Sequence, residues 1–519
     1  MTRILASLWL SAFAFVFAGC AGSRAFTAPD LRPAPHFEYP VTTPSPRRPP
    51  DPILARTPGP RLAAPLRYDG AGDAPDAPFR ARAPEADVVE DAPDSPPQET
   101  RLPNGMRVVL IERHDYPTVA VRLIVDRGSI DLDDVGGSRV GQMSYLYARG
   151  GDMAAVEARS AEAARTGVGV SSQLTEDALL WRADGPATEL RAMCAALAMY
   201  SFLATLSPTE YERREATWLA MVKERPQNLL QIEQNVLFGT AHPYGTLAAP
   251  SAGMSMEEAK LLRARLLQPR YATFLVVGDV TSHDLELAVG GSFLAWRGTA
   301  QGLEQRHDPP PLRTGASSFA IVRRIGLTQR WANLFARGPS PESPDFEVMR
   351  LVAAMVGGVG GKLYDEVRDE MGAAYGLGAG VRSKRLASWL WLGGAYRGEK
   401  VAPALSASLR EVARVRAAEV SDDEVEGARQ RLLAEWRMHR ATSAGTADLY
   451  EEAILQGQSF DRVRGFRRRV EQIGRREIAR VAGIYLAPER LNAAFLGDDR
   501  GFDPRPLGIG NTTMVEIFR

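Results

Sequence analysis

The pattern of apolar and polar residues becomes regular near Leu102. LPNGMRVVLIE predicts a turn at residues 103–105 and then a strand, and TVAVRLIVDRGS predicts a second, half-buried strand. Helical periodicity follows over about residues 139–164 and 186–224. The turn-rich passage FGTAHPYGTLAAP then leads to a helix near 255–267 and to a buried strand, ATFLVVGDV. Strands mixed with long helices indicate an α+β fold.

The same plan repeats in the second half of the chain. LQPRYATFLVVGD begins at Leu267 and matches LAPERLNAAFLGD, which begins at Leu486, in the positions of Leu, Pro and Gly-Asp. The same offset, within a couple of residues, aligns VGGSRVGQMSYLYAR with VGGVGGKLYDEVR. A repeat this long differs from the period of about 20–50 residues in a solenoid and indicates a duplicated domain. We therefore predict two homologous α+β domains, each a mixed sheet with helices packed on one face.

Length and proline content divide the chain into segments. A chain of 519 residues is too long for one core. Before residue 100, a proline-rich composition with few apolar clusters cannot bury enough surface to offset the entropy of ordering, which predicts a disordered spacer. The predicted segments are a signal peptide (1–20), the spacer (21–99), a first domain (100–300), a linker (301–315) and a second domain (316–519).

The first twenty residues are typical of an export signal. Arg3 precedes an apolar run at residues 4–17 that is too short to span a bilayer comfortably, and small residues at 18–19 precede Cys20. This ending resembles the bacterial lipoprotein box, which implies that Cys20 becomes a lipid-modified N-terminus. Ala21, rather than Asp, implies sorting to the outer membrane, with the protein facing the periplasm. The alternative is an ordinary secretory signal with an incidental cysteine.

Charge and cysteine content exclude several classes. Lys+Arg and Asp+Glu balance at 63 each, so no basic excess indicates a nucleic-acid partner. The two cysteines, Cys20 and Cys194, cannot form a disulfide framework, and Cys194 in RAMCAALAMY is predicted to be a buried thiol. The glycine-rich stretch 357–376 is not a P-loop, because Val356 and Leu363 replace the required Gly and Ser or Thr.

Several motifs together resemble the insulinase, or pitrilysin-type (M16), family of zinc metallopeptidases. LPNGMRVVLIERHDYPTVAVRLIVDRGS resembles the opening strands of the family, and HPYG resembles its mid-domain turn. GGKLYDEVRDEMGAAYG resembles the second-domain signature, and the two Gly-Asp strands resemble the domain ends. The resemblance covers about residues 100–500. It implies two homologous domains that form half of a clam-shell chamber around an unfolded peptide.

The zinc motif of the family, His-x-x-Glu-His, is absent from the matching helix. Active members bind zinc through the two histidines and a distant glutamate, and the motif glutamate is the general base. The helix here reads GQMSYLYARGG, which places Gly141, Ser144 and Tyr145 at the motif positions. The distant ligand aligns with Met221, or with Glu224 if the alignment slips. The resemblance therefore implies no catalytic residue and no metal on this chain.

Other catalytic or metal sites have little support in the sequence. No two of the six histidines have helical ligand spacing, and His242 in AHPYG is predicted to shape a turn. The sequence shows no Ser/His/Asp or Cys/His arrangement that would support an unrelated hydrolase site. We instead expect the helix that lacks the zinc motif to pack, with Tyr145 and Tyr147 in the core or at its rim.

Arg368 in YDEVRDE and Tyr375 in GAAYG match an Arg/Tyr pair that holds the peptide substrate in the family. Arginine offers several donors to peptide carbonyls, and tyrosine can donate to a carbonyl oxygen that becomes negative. The alternative is that Arg368 pairs with Asp365 or Glu366 on a solvated helix face while Tyr375 packs. For Gly357–Gly361 both a mobile guide loop and a tight turn are open.

The resemblance favours the non-zinc subunit of a heterodimeric M16-type metallopeptidase of the cell envelope. In this hypothesis Arg368 and Tyr375 bind the peptide, and a zinc-bearing M16 homologue supplies the metal. The chain itself holds no cofactor, has no nucleic-acid partner and meets the membrane through its lipid anchor. The alternative is a catalytically inactive pseudoenzyme that binds peptides or scaffolds an envelope assembly.

Overall fold

The computed structural model describes residues 95–514, with gaps at 133–137, 148–149, 153–156, 159–160, 163–164, 225–227, 240–241, 246–252 and 300–316. The chain divides into two compact units, Met1–Val88 and Val89–Arg519, and only the second contains described residues. The predicted signal peptide with Cys20, the linker 301–315 and all of the predicted spacer before residue 95 lie outside them. Among the described residues, no helix has the length and apolar content needed to cross a bilayer.

The first sheet is mixed and has six strands. They are β1 (Gln98–Arg101), β2 (Arg107–Glu112), β3 (Thr118–Val125), β4 (Gly169–Leu174), β5 (Leu179–Pro186) and β6 (Ala272–Gly278). Their order is β1-β2-β6-β3-β5-β4. Strands β2 and β6 are parallel, and the other neighbours are antiparallel. The predicted turn before β2 is present, since the Gly105 N–H donates to the Leu102 carbonyl at 2.8 Å.

The second sheet repeats this arrangement. Its strands are β7 (Ser318–Arg323), β8 (Arg330–Arg337), β9 (Ala374–Lys384), β10 (Ala387–Tyr396), β11 (Asn492–Gly497) and β12 (Asn511–Met514). Their order is β12-β7-β11-β8-β10-β9. Strand β11 is parallel to β7 and antiparallel to β8, as β6 is to β2 and β3. The predicted duplication of an α+β domain is therefore confirmed, and the sheets differ only at the outer strands β1 and β12, which pair in opposite directions.

Helices fill the connections. In the first half they are α1 (Ser138–Tyr147), α2 (Leu190–Tyr200), α3 (Pro208–Glu224), α4 (Leu229–Phe238), α5 (Met256–Leu266) and α6 (Ser282–Phe293). In the second half they are α7 (Asp345–Gly357), α8 (Lys362–Tyr364) with a following π-helical turn (Asp365–Glu370), α9 (Val401–Arg416), α10 (Asp422–Arg440), α11 (Ser443–Leu455), α12 (Phe460–Arg464), α13 (Phe466–Glu471) and α14 (Arg475–Tyr485).

Two long helices predicted from periodicity are wrong in extent. The prediction over 139–164 fails because α1 ends at Tyr147, and Gly150 and Gly151 have φ of +70° and +131°, which an α-helix does not allow. The prediction over 186–224 fails because residues 201–207 separate α2 from α3. There the Ser201 hydroxyl donates to the Leu197 carbonyl and closes the end of α2. Strands β4 and β5 were not predicted.

The central strands of each sheet are buried on both faces, and a helix from each half covers one face of the other half's sheet. In β2, Val108 and Leu110 belong to the core formed with the helices of the first half. The intervening Val109 and Ile111 lie in a different cluster, with Tyr450 of α11 from the second half. Because successive strand residues point to opposite faces, α11 covers the face that the first-half helices leave open.

The second sheet shows the reciprocal arrangement. Phe319 and Ile321 of β7 belong to the core of the second half, whereas Ala320 and Val322 lie in a cluster with Phe238 of α4 from the first half. The prediction of helices on one face therefore holds for the helices that each half packs on its own sheet. The opposite face is covered by the other half, which explains why every residue of β6 is buried.

Candidate functional site

The positions of the missing zinc motif lie on α1, and an aromatic side chain from α3 packs against them. The rings of Tyr145 and Trp218 are 5.4 Å apart between centroids and tilted by 39°. A Cβ atom added at Gly141 would lie 3.4 Å from Cη2 of Trp218. Trp218 thus fills the space between α1 and α3 beside positions 141 and 145.

These residues do not fit a zinc ion. Zinc takes Cys, His or carboxylate ligands, whereas Gly141 has no side chain and Ser144 and Tyr145 carry hydroxyls. Met221, aligned with the distant ligand, is 51% exposed on α3, and the side chain of Glu224 lies outside the described part of the chain. Across the described ranges, no group of three or more His, Cys, Asp or Glu side chains is placed to hold a metal ion.

Helix α1 is instead a packed structural element. Tyr147 is buried in the core of the first half, and Tyr145 is partly exposed at its rim, as expected. The buried Arg214 of α3 donates through Nη1 to the Leu146 carbonyl at 2.6 Å and through Nη2 to the Gly151 carbonyl. Since the last carbonyls of a helix lack intrahelical partners, Arg214 fixes the end of α1.

Arg368 and Tyr375 lie side by side at the surface of the second half. Arg368 is in the π-helical turn and Tyr375 is near the start of β9. The guanidinium carbon of Arg368 is 5.4 Å from the ring centroid of Tyr375, a cation–π distance. The Tyr375 side chain is 89% exposed, and that of Arg368 is 40% exposed. The spacing seen in the sequence therefore corresponds to a real, solvent-facing pair.

A second tyrosine, Tyr364, orients Arg368 from below. Nη1 of Arg368 donates to the Tyr364 hydroxyl, and the guanidinium carbon is 5.3 Å from the Tyr364 ring centroid. The hydrogen bond to Tyr364 raises the pKa of Arg368 above its ordinary value, so the guanidinium stays charged. Tyr364 is buried and thus restrains the arginine. Sequence reasoning missed it, although its spacing of four residues on a helix was a usable signal.

The alternative predicted for Arg368, pairing with an acidic neighbour on its own helix, is observed in part. Its acidic neighbour in space is Asp369, with 3.7 Å between Nε and Oδ1. Glu366 instead accepts a hydrogen bond from Arg410 at 2.6 Å. Tyr375 does not pack, because most of its side chain is exposed. Both side chains are thus accessible to solvent.

The glycine-rich run before α8 is a tight turn. The Gly361 N–H donates to the Gly358 carbonyl at 3.0 Å, and Gly360 has a φ of +75°. A Cβ atom at Gly357 would lie 2.3 Å from the backbone nitrogen of Ala379 in β9. Of the two alternatives for this run, the structure therefore shows the tight turn, pressed against β9.

His242 shapes a turn, as predicted. Its Nδ1 accepts the Tyr244 N–H at 3.0 Å, and burial lowers the pKa of the imidazole, which favours its neutral form. The Tyr244 hydroxyl then donates to Asp177 at 2.6 Å. Asp177 also accepts the Arg385 N–H at 2.9 Å, from the hairpin between β9 and β10. This turn therefore helps to join the two halves.

Comparisons with known proteins agree with this fold. Residues 254–432 match the family model described as Peptidase M16 inactive domain. A protease from Helicobacter pylori is similar, with 17% sequence identity and a TM-score of 0.68, over 78% of this chain and 100% of that chain. A peptidase M16 inactive domain from Pseudomonas fluorescens has the same identity and TM-score, over 78% of this chain and 98% of that chain.

Identities this low show the fold alone, while the family model adds evidence from the sequence of residues 254–432. No curated protein sequence matches the chain. Three observations are consistent. The α+β domain is duplicated, residues 254–432 match the inactive-domain model, and the residues of α1 do not fit a metal. The chain is thus similar to M16 peptidases in fold, its residues 254–432 match the M16 inactive domain, and its helix α1 lacks the zinc motif.

Proposed function

We propose that this chain is the non-zinc subunit of a heterodimeric M16-type peptidase of the cell envelope. One contrast carries the proposal. The zinc-motif positions are filled by residues that do not fit a metal, whereas Arg368 and Tyr375 remain exposed and adjacent. A protein that only scaffolds an assembly has no need for an oriented arginine beside an exposed tyrosine. Peptide binding to a composite site explains both features.

The geometry suggests how the pair would act. Tyr364 restrains one edge of the Arg368 guanidinium, and the remaining N–H groups can donate to carbonyls of an extended peptide. The Tyr375 hydroxyl can donate to the carbonyl oxygen that gains negative charge during hydrolysis. The partner would supply the zinc and the general base. A hydrogen bond from a charged donor contributes about 1.5–3 kcal/mol, or about 10- to 150-fold in rate if it forms in the transition state.

The test mixes this chain with a zinc-bearing M16 homologue and follows peptide hydrolysis. We expect activity in the mixture, and we expect Arg368→Ala to lower kcat/KM by at least about tenfold. Arg464→Ala is the matched control, since Arg464 is 45% exposed and lies 3.5 Å from Asp461, much as Arg368 lies beside Asp369. The control is expected to retain the activity of the unmodified mixture.

Three outcomes separate the alternatives. Peptide binding without turnover in any mixture would favour a peptide-binding or scaffolding pseudoenzyme. Full activity of the mixture that contains Arg368→Ala would show that Arg368 does not contribute to the site. Chelator-sensitive cleavage by this chain alone would refute the non-zinc assignment.

We also propose that Cys20 carries a lipid that anchors the chain in the outer membrane, facing the periplasm. The short apolar run that ends in small residues and Cys20 supports this proposal. Cys20→Ala is expected to release the mature protein from the membrane fraction and to abolish incorporation of labelled fatty acid. Unchanged membrane recovery without any label would count against lipidation.

A further inference from the structure

The tip of the hairpin between β9 and β10 inserts into a group of carboxylates on the first half. The guanidinium of Arg385 at this tip lies 3.2 Å from Asp126 through Nη1 and 3.0 Å from Asp131 through Nη2. The neighbouring Lys384 forms an ion pair with Glu176. Two adjacent cations of the second half thus meet a socket of carboxylates from the first half, which consists of Asp126, Asp131, Glu176 and Asp177.

The contact between the tip and the socket is largely withdrawn from water. The Arg385 side chain is 13% exposed, and Asp131 is fully buried. Backbone groups of the tip are bound as well. The Arg385 N–H donates to Asp177 at 2.9 Å, and the Leu386 N–H donates to the Tyr244 hydroxyl at 3.3 Å. Desolvation lowers the pKa of Arg385, but the carboxylates of the socket outweigh it and raise the pKa above its ordinary value. Because a buried charge that loses its partner is costly, these contacts hold the tip in one place.

Strand β9 connects this tip to the exposed Tyr375. It is an outer strand of its sheet and pairs only with β10 among the described strands. The register of that pairing shifts between Gly394 and Tyr396, so the ladder is irregular beside Tyr375. At its other end, β9 is bound to the first half through the socket and through Arg382, which donates to Glu233. These contacts lie roughly 20–30 Å from Tyr375 at the usual rise of about 3.3 Å per residue.

We propose that the insertion of Lys384 and Arg385 into the socket is a latch that fixes the direction of β9 relative to the first half. The latch holds the Arg368 and Tyr375 pair in the orientation that a bound peptide requires, so the proposal rests on the proposed function of that pair. A rotation of β9 by about 2° at the tip would move its far end by about 1 Å over this distance. A misplacement of about 1 Å can cost about 100-fold in rate. Arg385 is thus a positioning residue, because it acts through β9 and does not touch the peptide.

The first test mixes the full-length chain with a zinc-bearing M16 homologue and follows peptide hydrolysis. Arg385→Met is expected to lower kcat/KM at least about tenfold, mainly through kcat. Arg385→Lys keeps a charge in the socket and is expected to recover most of that loss. Arg480→Met is the matched control, since Arg480 pairs with Asp345 at 2.6 Å within the second half, and it is expected to retain the activity of the unmodified mixture.

A double-variant cycle separates positioning from a general structural role. If Arg385 acts through the pair, Arg385→Met has no further effect on a chain that already carries Arg368→Ala and Tyr375→Phe. A further loss of about tenfold in that background would overturn the proposal, because it would show that Arg385 acts elsewhere in the molecule.

Hydrogen exchange of the chain alone tests the latch without any activity. Deuterium uptake by peptides that cover residues 374–381 of β9 is expected to be at least about fivefold faster in Arg385→Met and unchanged in Arg480→Met. If the unmodified mixture has no peptidase activity while β9 responds, the proposed function fails and the fixing of β9 by the socket stands. Unchanged uptake in β9 overturns the latch, whether or not the mixture is active. If Arg385→Met does not fold, Lys384→Met replaces it in both tests, with the same expected direction.

Discussion

The buried carboxylate of Glu233 is predicted to hold the two halves together. Glu233 lies on α4 of the first half and is fully buried. It accepts hydrogen bonds from Asn333 at 2.6 Å, from the Trp389 indole at 3.0 Å and from Arg382. These donors come from β8, β10 and β9, so one side chain joins the first half to three strands of the second sheet. Replacing Glu233 with alanine removes every one of these bonds.

The size of the effect follows from what Glu233→Ala leaves behind. Burial lowers the pKa of Arg382, and the attraction of Glu233 opposes this effect. Without Glu233 the arginine charge is buried and unpaired, and two neutral donors also lose their acceptor. Breaking a buried ion pair from one side costs about 3–5 kcal/mol. We expect the free energy of unfolding to fall by about this amount, rather than by a sum over three bonds, because such contributions are not additive.

Equilibrium unfolding in urea, followed by tryptophan fluorescence, measures this loss. The first transition is compared, since a unit of this size need not unfold in a single step. Glu257→Ala is the control, because Glu257 is 82% exposed and pairs only with Lys260 among the described residues, so little change is expected. The double variant Glu233→Ala/Arg382→Met should be less destabilised than Glu233→Ala alone, since the unpaired charge is gone. A loss below about 1 kcal/mol in the single variant would refute the reasoning.

Three further predictions test the same structure. Burial raises the pKa of the Cys194 thiol to about 12, so a thiol reagent at pH 8 should react with it only after unfolding. Gly278→Ala should cost about 1–3 kcal/mol or more, because φ is +148° and the new Cβ would lie 2.3 Å from a carbonyl oxygen, whereas Gly483→Ala meets nothing within 4 Å and should be neutral or stabilising. Desolvation raises the pKa of Glu424, but hydrogen bonds from Ser421 and nearby basic side chains outweigh it and hold the value at about 2. Its stabilisation is therefore present above about pH 4.5 and is lost as the pH falls toward 2, so the deficit of Glu424→Gln in urea unfolding should shrink over that range.

The duplicated plan could be predicted because it depends on local signals. The Gly-Asp endings of β6 and β11 align in the sequence, and both glycines have a positive φ, +148° at Gly278 and +156° at Gly497. The packing of α4 and α11 on the sheet of the opposite half could not be predicted in the same way. The all-apolar run of β6 did indicate burial on both faces. It does not say which helix provides the cover, because that contact joins residues far apart in the chain.

The candidate site likewise has one part that the sequence predicted and another that it did not. The spacing of Arg368 and Tyr375 was visible in the sequence, and the turn between them brings the side chains together. Trp218 was missed because it contacts α1 from a helix more than 70 residues away, and nothing in its local sequence marks it as a partner of Gly141. Local spacing predicts pairs that are close in the sequence, whereas packing between elements far apart in the chain requires the structure.

The positions that lack the zinc motif differ from a zinc site in packing as well as in residue type, because Gly141 lies against Trp218. A Cβ atom at position 141 would lie in van der Waals contact with the indole at 3.4 Å, so Trp218 occupies space beside any side chain placed there. The same ring contacts Tyr145. The zinc-motif positions 141 and 145 therefore lie against an aromatic side chain of α3. Arg368 and Tyr375, by contrast, are exposed to solvent, as the proposed peptide-binding role requires.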